Sequence, residues 1–243
     1  MNLTLEVGKK LLMRVLPRSI KTYLALVLFL VAVKILFLAF PTGFPLADQE
    51  GAFSWLTIGI VSLLGFIGLV LSRRAGFPDF WEVAVSNRQR FLIPALVGLA
   101  YGVVTVLYDL SRPAPVHLKL PWSIPFYAYG ATLLEIMLRL FAVTFLVWLI
   151  SNVILRGKWQ THVFWLAAVI AALYEPLPNL TNIFNTRGIF AALGVLVTTP
   201  LFAGNLVAAY LFRKYGFLAA LTMRLSFYLL WHIVYGGLLS AAR

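Results

Sequence analysis

The side chains able to do chemistry are few, and nearly all fall in the second half of the chain. Glu135 and Arg139 are four apart, which puts both on one face of a helix with the acid N-terminal to the base, the favourable order for an intrahelical pair. Arg224, Tyr228 and His232 repeat that spacing and form a second polar stripe. Glu175 stands at the outer end of a short apolar run. Charges at membrane depth cost about 2.5–3.5 kcal/mol each on insertion scales, so each needs a partner or a purpose. Spacing alone leaves two readings open: a buried structural ion-pair cluster, or a functional site. Either way, the two stripes are expected to face each other. The catalytic candidates are Glu135, Arg139, Glu175, Arg224, Tyr228 and His232.

Other chemistries lack their residues. There is no cysteine, which removes disulfides, thiolate ligands and a cysteine nucleophile. No His-x-x-x-His or His-Glu-x-x-His pair occurs, and His117 falls in a loop, so no metal site is expected. No Gly-x-Ser-x-Gly element marks a serine hydrolase, and no cofactor-binding pattern is expected.

The elements that must position these residues follow from composition. Of 243 residues, 62% are hydrophobic and 12% charged, against about 25% charged in soluble domains. That is too little charge to cover a water-facing surface. Lipid demands that every backbone polar group be paired within a helix or a closed barrel, and long unalternating apolar runs select helices. The expected fold is therefore all-α, a polytopic helical membrane protein of the cell membrane. The net charge of +12 comes from residues lying between apolar runs, where topology and anionic lipids require them, and nucleic acid is not an expected partner.

Along the chain, 1–21 alternates apolar residues with Lys9, Lys10, Arg14, Arg18 and Lys21 and reads as an amphipathic helix on the cytoplasmic membrane face. The first apolar run is too long for a cleavable signal peptide. The remainder, 22–243, reads as one transmembrane domain. Spans are expected at about 22–40, 53–71, 91–110, 124–155, 162–174, 188–212 and 215–242, with a turn-rich loop holding Asp48 and Glu50, an interfacial stretch at 76–90, a proline-rich loop through Pro113, Pro115 and Pro121, and a break at Pro200. The 124–155 run exceeds the roughly 20 residues a crossing needs, so it must tilt, bend or begin as a re-entrant piece. Basic residues concentrate on alternate loops, which predicts about seven spans with the N-terminus cytoplasmic and the C-terminus opposite.

The order of these pieces resembles the CAAX protease and bacteriocin-processing family of intramembrane proteases. That family carries Glu-Glu-x-x-x-Arg on one helix, Phe-x-x-x-His at the end of a second, and His-x-x-x-Asn/Asp on a late one. Here Leu134-Glu135-Ile136-Met137-Leu138-Arg139 takes the first place, Ala171-Ala172-Leu173-Tyr174-Glu175 the second, and Arg224-Leu225-Ser226-Phe227-Tyr228 the third. Ala203-Gly204-Asn205 and the basic turn Arg213-Lys214-Tyr215-Gly216-Phe217 match the family's approach to its third motif. The resemblance spans about 125–236 and implies a CAAX-protease-like core. Only Glu135 and Arg139 match in identity. The positions implied to activate water hold Leu134 and Glu175, and those implied to form the oxyanion site hold Arg224 and Tyr228. Leu134 takes no proton, so the general base is missing from its own place. Glu175 is the acid available to replace it.

The resemblance thus implies a diverged intramembrane endopeptidase or a catalytically silent relative, with a hydrophobic or prenylated peptide or another membrane protein as partner beside membrane lipids. The missing base favours the silent relative. The alternative is a small membrane transporter or lipid-binding protein that uses the Glu/Arg/His cluster beside the Pro200 break.

Overall fold

A computed structural model describes residues 2–40, 51–110, 117–198 and 200–241. The expected loop with Asp48 and Glu50, the residues Arg112, Pro113 and Pro115, and the terminal Arg243 lie outside them. So do the side chains of Lys9, Lys10 and Arg14 on which the amphipathic reading rests.

Among the described residues every regular element is helical. Helix α1 is Asn2–Ala39, so the N-terminal segment and the first apolar run form one unbroken helix. Helix α2 is Trp55–Ser72, started by Ser54, whose hydroxyl accepts the Thr57 N–H at 3.0 Å. Helix α3 is Arg88–Leu110 and α4 is Ser123–Ile154. Then follow α5 (Gln160–Leu173), α6 (Leu177–Arg187), α7 (Ile189–Thr198) and α8 (Pro200–Tyr215). The last, α9, comprises Phe217–Tyr228, a π-helical stretch Leu229–Tyr235 and a final Gly236–Ala241.

Five of these are long and apolar enough to cross a membrane: Arg18–Ala39, Trp55–Ser72, Arg88–Leu110, Ser123–Ile154 and Phe217–Leu239. A sixth crossing results if Ile189–Val195 and Pro200–Tyr215, bent by 57°, form one broken span. The architecture is that of a multi-pass membrane protein. The expected seven is reached only by counting α5, whose 14 residues reach about 21 Å, against a hydrocarbon core of about 30 Å.

The long α4 run neither breaks nor re-enters. It is one helix of 32 residues with π-helical turns at Ile136–Val143 and Trp148–Ile154. Widened turns free carbonyls, and the Thr144 hydroxyl donates to the Arg139 carbonyl at 3.1 Å within the first of them. Such turns gather at functional sites, and Arg139 lies inside this one.

Helices α4 and α9 form the centre, with α1 and α2 packed on one flank of α4, α3 along α9, and α5 and α8 closing the remaining side. Lipid offers little hydrophobic drive between helices, so close approach through small residues does much of the joining. A Cβ on Gly68 of α2 would lie 2.0 Å from the Leu140 carbonyl oxygen of α4, and one on Gly98 of α3 would lie 2.2 Å from the Met223 carbonyl oxygen of α9. The 73–90 stretch is an ordered plug at one end of the bundle. Phe77 and Phe80 are buried in it, Asp79 accepts from the Ser19 hydroxyl and pairs with Arg73 at 3.3 Å, and the guanidinium groups of Arg18 and Arg90 lie over the Trp81 ring. Gly216, at φ +86°, turns the chain from α8 into α9 with its α-carbon against this plug, close to the Pro78 carbonyl.

Candidate functional site

Glu135 and Arg139 project from α4 into the bundle, at 0% and 1% exposure. Arg224 and Tyr228 reach them from α9, and Glu175 from the turn between α5 and α6. Asn205, on the second turn of α8, completes the group and is itself buried. The structure therefore brings five of the six candidates into one cluster drawn from three helices and a turn.

Arg224 is its hub. The Nε donates to Glu135 Oε1 at 2.5 Å, Nη1 donates to both Glu175 oxygens at 3.0 Å, and Nη2 donates to Asn205 Oδ1 at 2.5 Å. Arg139 Nη2 donates to the same Asn205 Oδ1 at 2.5 Å and to the Asn205 carbonyl at 2.9 Å. The Asn205 amide nitrogen donates to Glu175 Oε2 at 2.6 Å. Tyr228 donates its hydroxyl to Glu175 Oε1 at 3.5 Å and accepts from Arg224 at 3.3 Å. One amide thus takes both arginines on its oxygen and one acid on its nitrogen.

The intrahelical Glu135–Arg139 pair exists, but at 3.6 Å it is the longer contact; the Glu135 carboxylate spends its short bond on Arg224 across the bundle. Two acids and two guanidinium groups leave the cluster with no net charge, the arrangement that makes burial of four ions tolerable. Three atoms stand out. Glu135 Oε2, Arg139 Nε and Arg139 Nη1 are buried without a hydrogen-bond partner among the described residues.

A pocket opens onto this group, lined by Tyr101, Glu175, Leu201, Gly204, Asn205, Met223, Arg224 and Phe227, with about 240 Å³ of empty space including its mouth. Tyr101 forms one wall. It donates its hydroxyl to the Pro200 carbonyl at the start of α8, and its ring lies where a Cβ on Gly204 would be.

His232, the sixth candidate, is elsewhere. It meets the cluster only through the edge of the Tyr228 ring, centroids 4.9 Å apart, and its nitrogen faces His117. Leu134, where the family resemblance implies a base, packs against the hydrophobic core. The reading from sequence missed Asn205 and Tyr101 as site residues. A lone amide inside an apolar helix was a signal for the first; Tyr101 carried none, because an aromatic residue in a span is ordinarily packing.

No group of three or more His, Asp or Glu residues suited to a metal ion occurs among the described residues. Set against protein-family models, curated proteins and solved structures, the chain matches none.

Proposed function

We propose that this chain is a catalytically silent relative of the CAAX-type intramembrane endopeptidases that acts by binding a hydrophobic or prenylated peptide segment of a membrane partner. The observation that carries this is how Glu175, the acid available to replace the missing base, is held. Glu175 receives two bonds from Arg224, one from Asn205 and one from Tyr228. A carboxylate held this way by a guanidinium group and an amide is engaged as an ion-pair partner, which weakens it as an acceptor for the proton of an attacking water. The pocket mouth, with Tyr101, Leu201, Met223 and Phe227 on its walls, offers an apolar partner a place to rest against a neutral polar floor.

A second reading, a diverged peptidase, draws on the unpartnered Glu135 Oε2, which is free to hold a proton or a water. One experiment separates them. Purified protein in lipid nanodiscs is incubated with fluorescent prenylated and unprenylated hydrophobic peptides, with binding read by anisotropy and cleavage by mass spectrometry. Binding without cleavage is expected. Cleavage that disappears in Glu135→Gln or Glu175→Gln, where loss of a base costs about 10²–10⁴-fold, establishes the peptidase. Neither binding nor cleavage points to the transporter or lipid-binding alternative, for which the bend before Pro200 beside the pocket is the supporting feature.

The membrane topology belongs to the same proposal. Helix α5 and the bent α7–α8 pair each count as a crossing, which gives seven, with the N-terminus cytoplasmic and the C-terminus opposite.

A further inference from the structure

A second polar cluster lies one helical step beyond the first, around His117 and His232. His117 belongs to the segment that joins α3 to α4; His232 belongs to the π-helical stretch of α9. Their Nδ1 atoms are 3.1 Å apart. The same segment is fastened a second time, by the Leu118 N–H donating to the Tyr127 hydroxyl at 3.3 Å, and the Tyr127 ring stacks on His232 at 3.8 Å with an interplanar angle of 5°. His117 lies so close to α9 that a Cβ on Gly236 would be 2.6 Å from its Cγ. The groups that face this pair are Asp109 from α3, which accepts from Trp231 Nε1 at 2.5 Å, Tyr127 from α4, and Tyr228 and Tyr235 from α9.

Two imidazole nitrogens at hydrogen-bond distance require one N–H and one lone pair between them. When both carry a proton, two donors face each other and two positive charges abut, and the contact cannot persist. We propose that the His117–His232 pair is a proton-operated latch, which holds the stretch 117–122 that leads into α4 against the last helix near neutral pH and releases it on acidification. Release removes His117 from one side of His232, whose ring packs against that of Tyr228, and the Tyr228 hydroxyl reaches Arg224 and Glu175. The latch therefore couples pH to the wall of the first cluster, independently of whether that cluster binds or cleaves. Burial holds the His117 imidazole below its usual range, with Asp109 opposing, so release falls below the ordinary histidine midpoint of about 6.5.

The chain's lack of cysteine makes the test direct. Lys119→Cys and Leu238→Cys, both at exposed positions, are spin-labelled in nanodiscs and their separation is measured by pulsed electron paramagnetic resonance at about pH 7.5 and about pH 5, on either side of the histidine range. A narrow, short distribution is expected at the higher pH and a longer, broader one at the lower. His117→Phe and His232→Phe, which keep a ring and lose the proton, should each abolish the pH response, and Gly236→Ala should give the long distribution already at the higher pH. The third histidine, His162, is intact in all of these. An unchanged wild-type distribution, a response that survives in both phenylalanine variants, or a closed Gly236→Ala protein would overturn the latch. Thermal unfolding of each variant at the higher pH establishes that it is folded.

Discussion

Arg224 engages all three of its guanidinium nitrogens, each on a different partner set: Glu135, Glu175 with Tyr228, and Asn205. Removing it leaves two carboxylates facing Arg139, Asn205 and the Tyr228 hydroxyl in a buried site, with one cation for two acids. Breaking a buried ion pair by deleting one partner costs about 3–5 kcal/mol. Arg224→Leu should lower thermal stability in detergent by an amount of that order, and adding Glu175→Gln should recover part of it, because the second change removes a charge left without its main partner. Arg213→Leu is the control, since its half-buried side chain makes one exposed hydrogen bond, to Thr161, and lies over the Phe164 ring. Equal stability of Arg224→Leu and Arg213→Leu would show that the acids are neutral in the folded protein. The fourfold spacing of the polar residues was legible in the sequence, and so was the meeting of the two stripes. The partner choice was not. Spacing speaks only of neighbours on one face, so it favoured Arg139 for Glu135, whereas a long arginine from a helix 89 residues away makes the shorter bond. His232 shows the complementary limit: it shares a stripe with Arg224, yet two steps of four carry it into a different cluster with a partner from a loop.

At the scale of elements, apolar length located the long spans to within a few residues, because in lipid a run of that length has no other stable form. What it could not show is how helices touch. Gly68 reads as an ordinary glycine in an apolar run, but it marks where α2 meets the α4 backbone. Gly59, on the same helix, would place a Cβ within 4 Å of nothing. Gly68→Ala must push the helices apart, and overpacking of this kind costs about 1–3 kcal/mol. Gly59→Ala should be neutral or slightly stabilising, since alanine is the better helix former. Denaturation midpoints of the two variants in one detergent test this, and a Gly68→Ala protein as stable as Gly59→Ala would mean that α2 and α4 adjust freely. The π-helical turns were equally invisible from sequence, for they arise from packing rather than residue type. The polar stretch that follows Glu175 forms helix α6 because Pro176 and Pro178 fall at its start, where a missing N–H costs nothing.

For the whole molecule, the number of crossings decides which side of the membrane each end faces. The five long helices leave two elements undecided: α5, shorter than the hydrocarbon core, and the bent α7–α8 pair. If both cross, the termini lie on opposite sides; if only one does, they lie on the same side. Charge distinguishes the two. With seven crossings and a cytoplasmic N-terminus, the inner segments hold Lys9, Lys10, Arg14, Arg18, Lys21, Arg73, Arg74, Arg88, Arg90, Arg156, Lys158, Arg213 and Lys214, thirteen in all, against the four outer residues Arg112, Lys119, Arg187 and Arg243. Dropping α5 would move Arg213 and Lys214 to the outer face while Arg156 and Lys158 stay inside, which weakens the bias that sets orientation. A crossing as short as α5 is accommodated where the bilayer thins locally, at a cost of fractions of a kcal/mol per Å of mismatch, and its packing against α4 and α8 offsets that cost. Reporter fusions active on only one side of the membrane, placed at residue 1, after Lys158, after Arg187 and at residue 243, should give inside, inside, outside and outside. Termini on the same side would remove one of the two short crossings. Fusions after Lys158 and Arg187 reporting the same side would identify it as α5, and would leave Glu175 approaching Arg224 from a re-entrant helix.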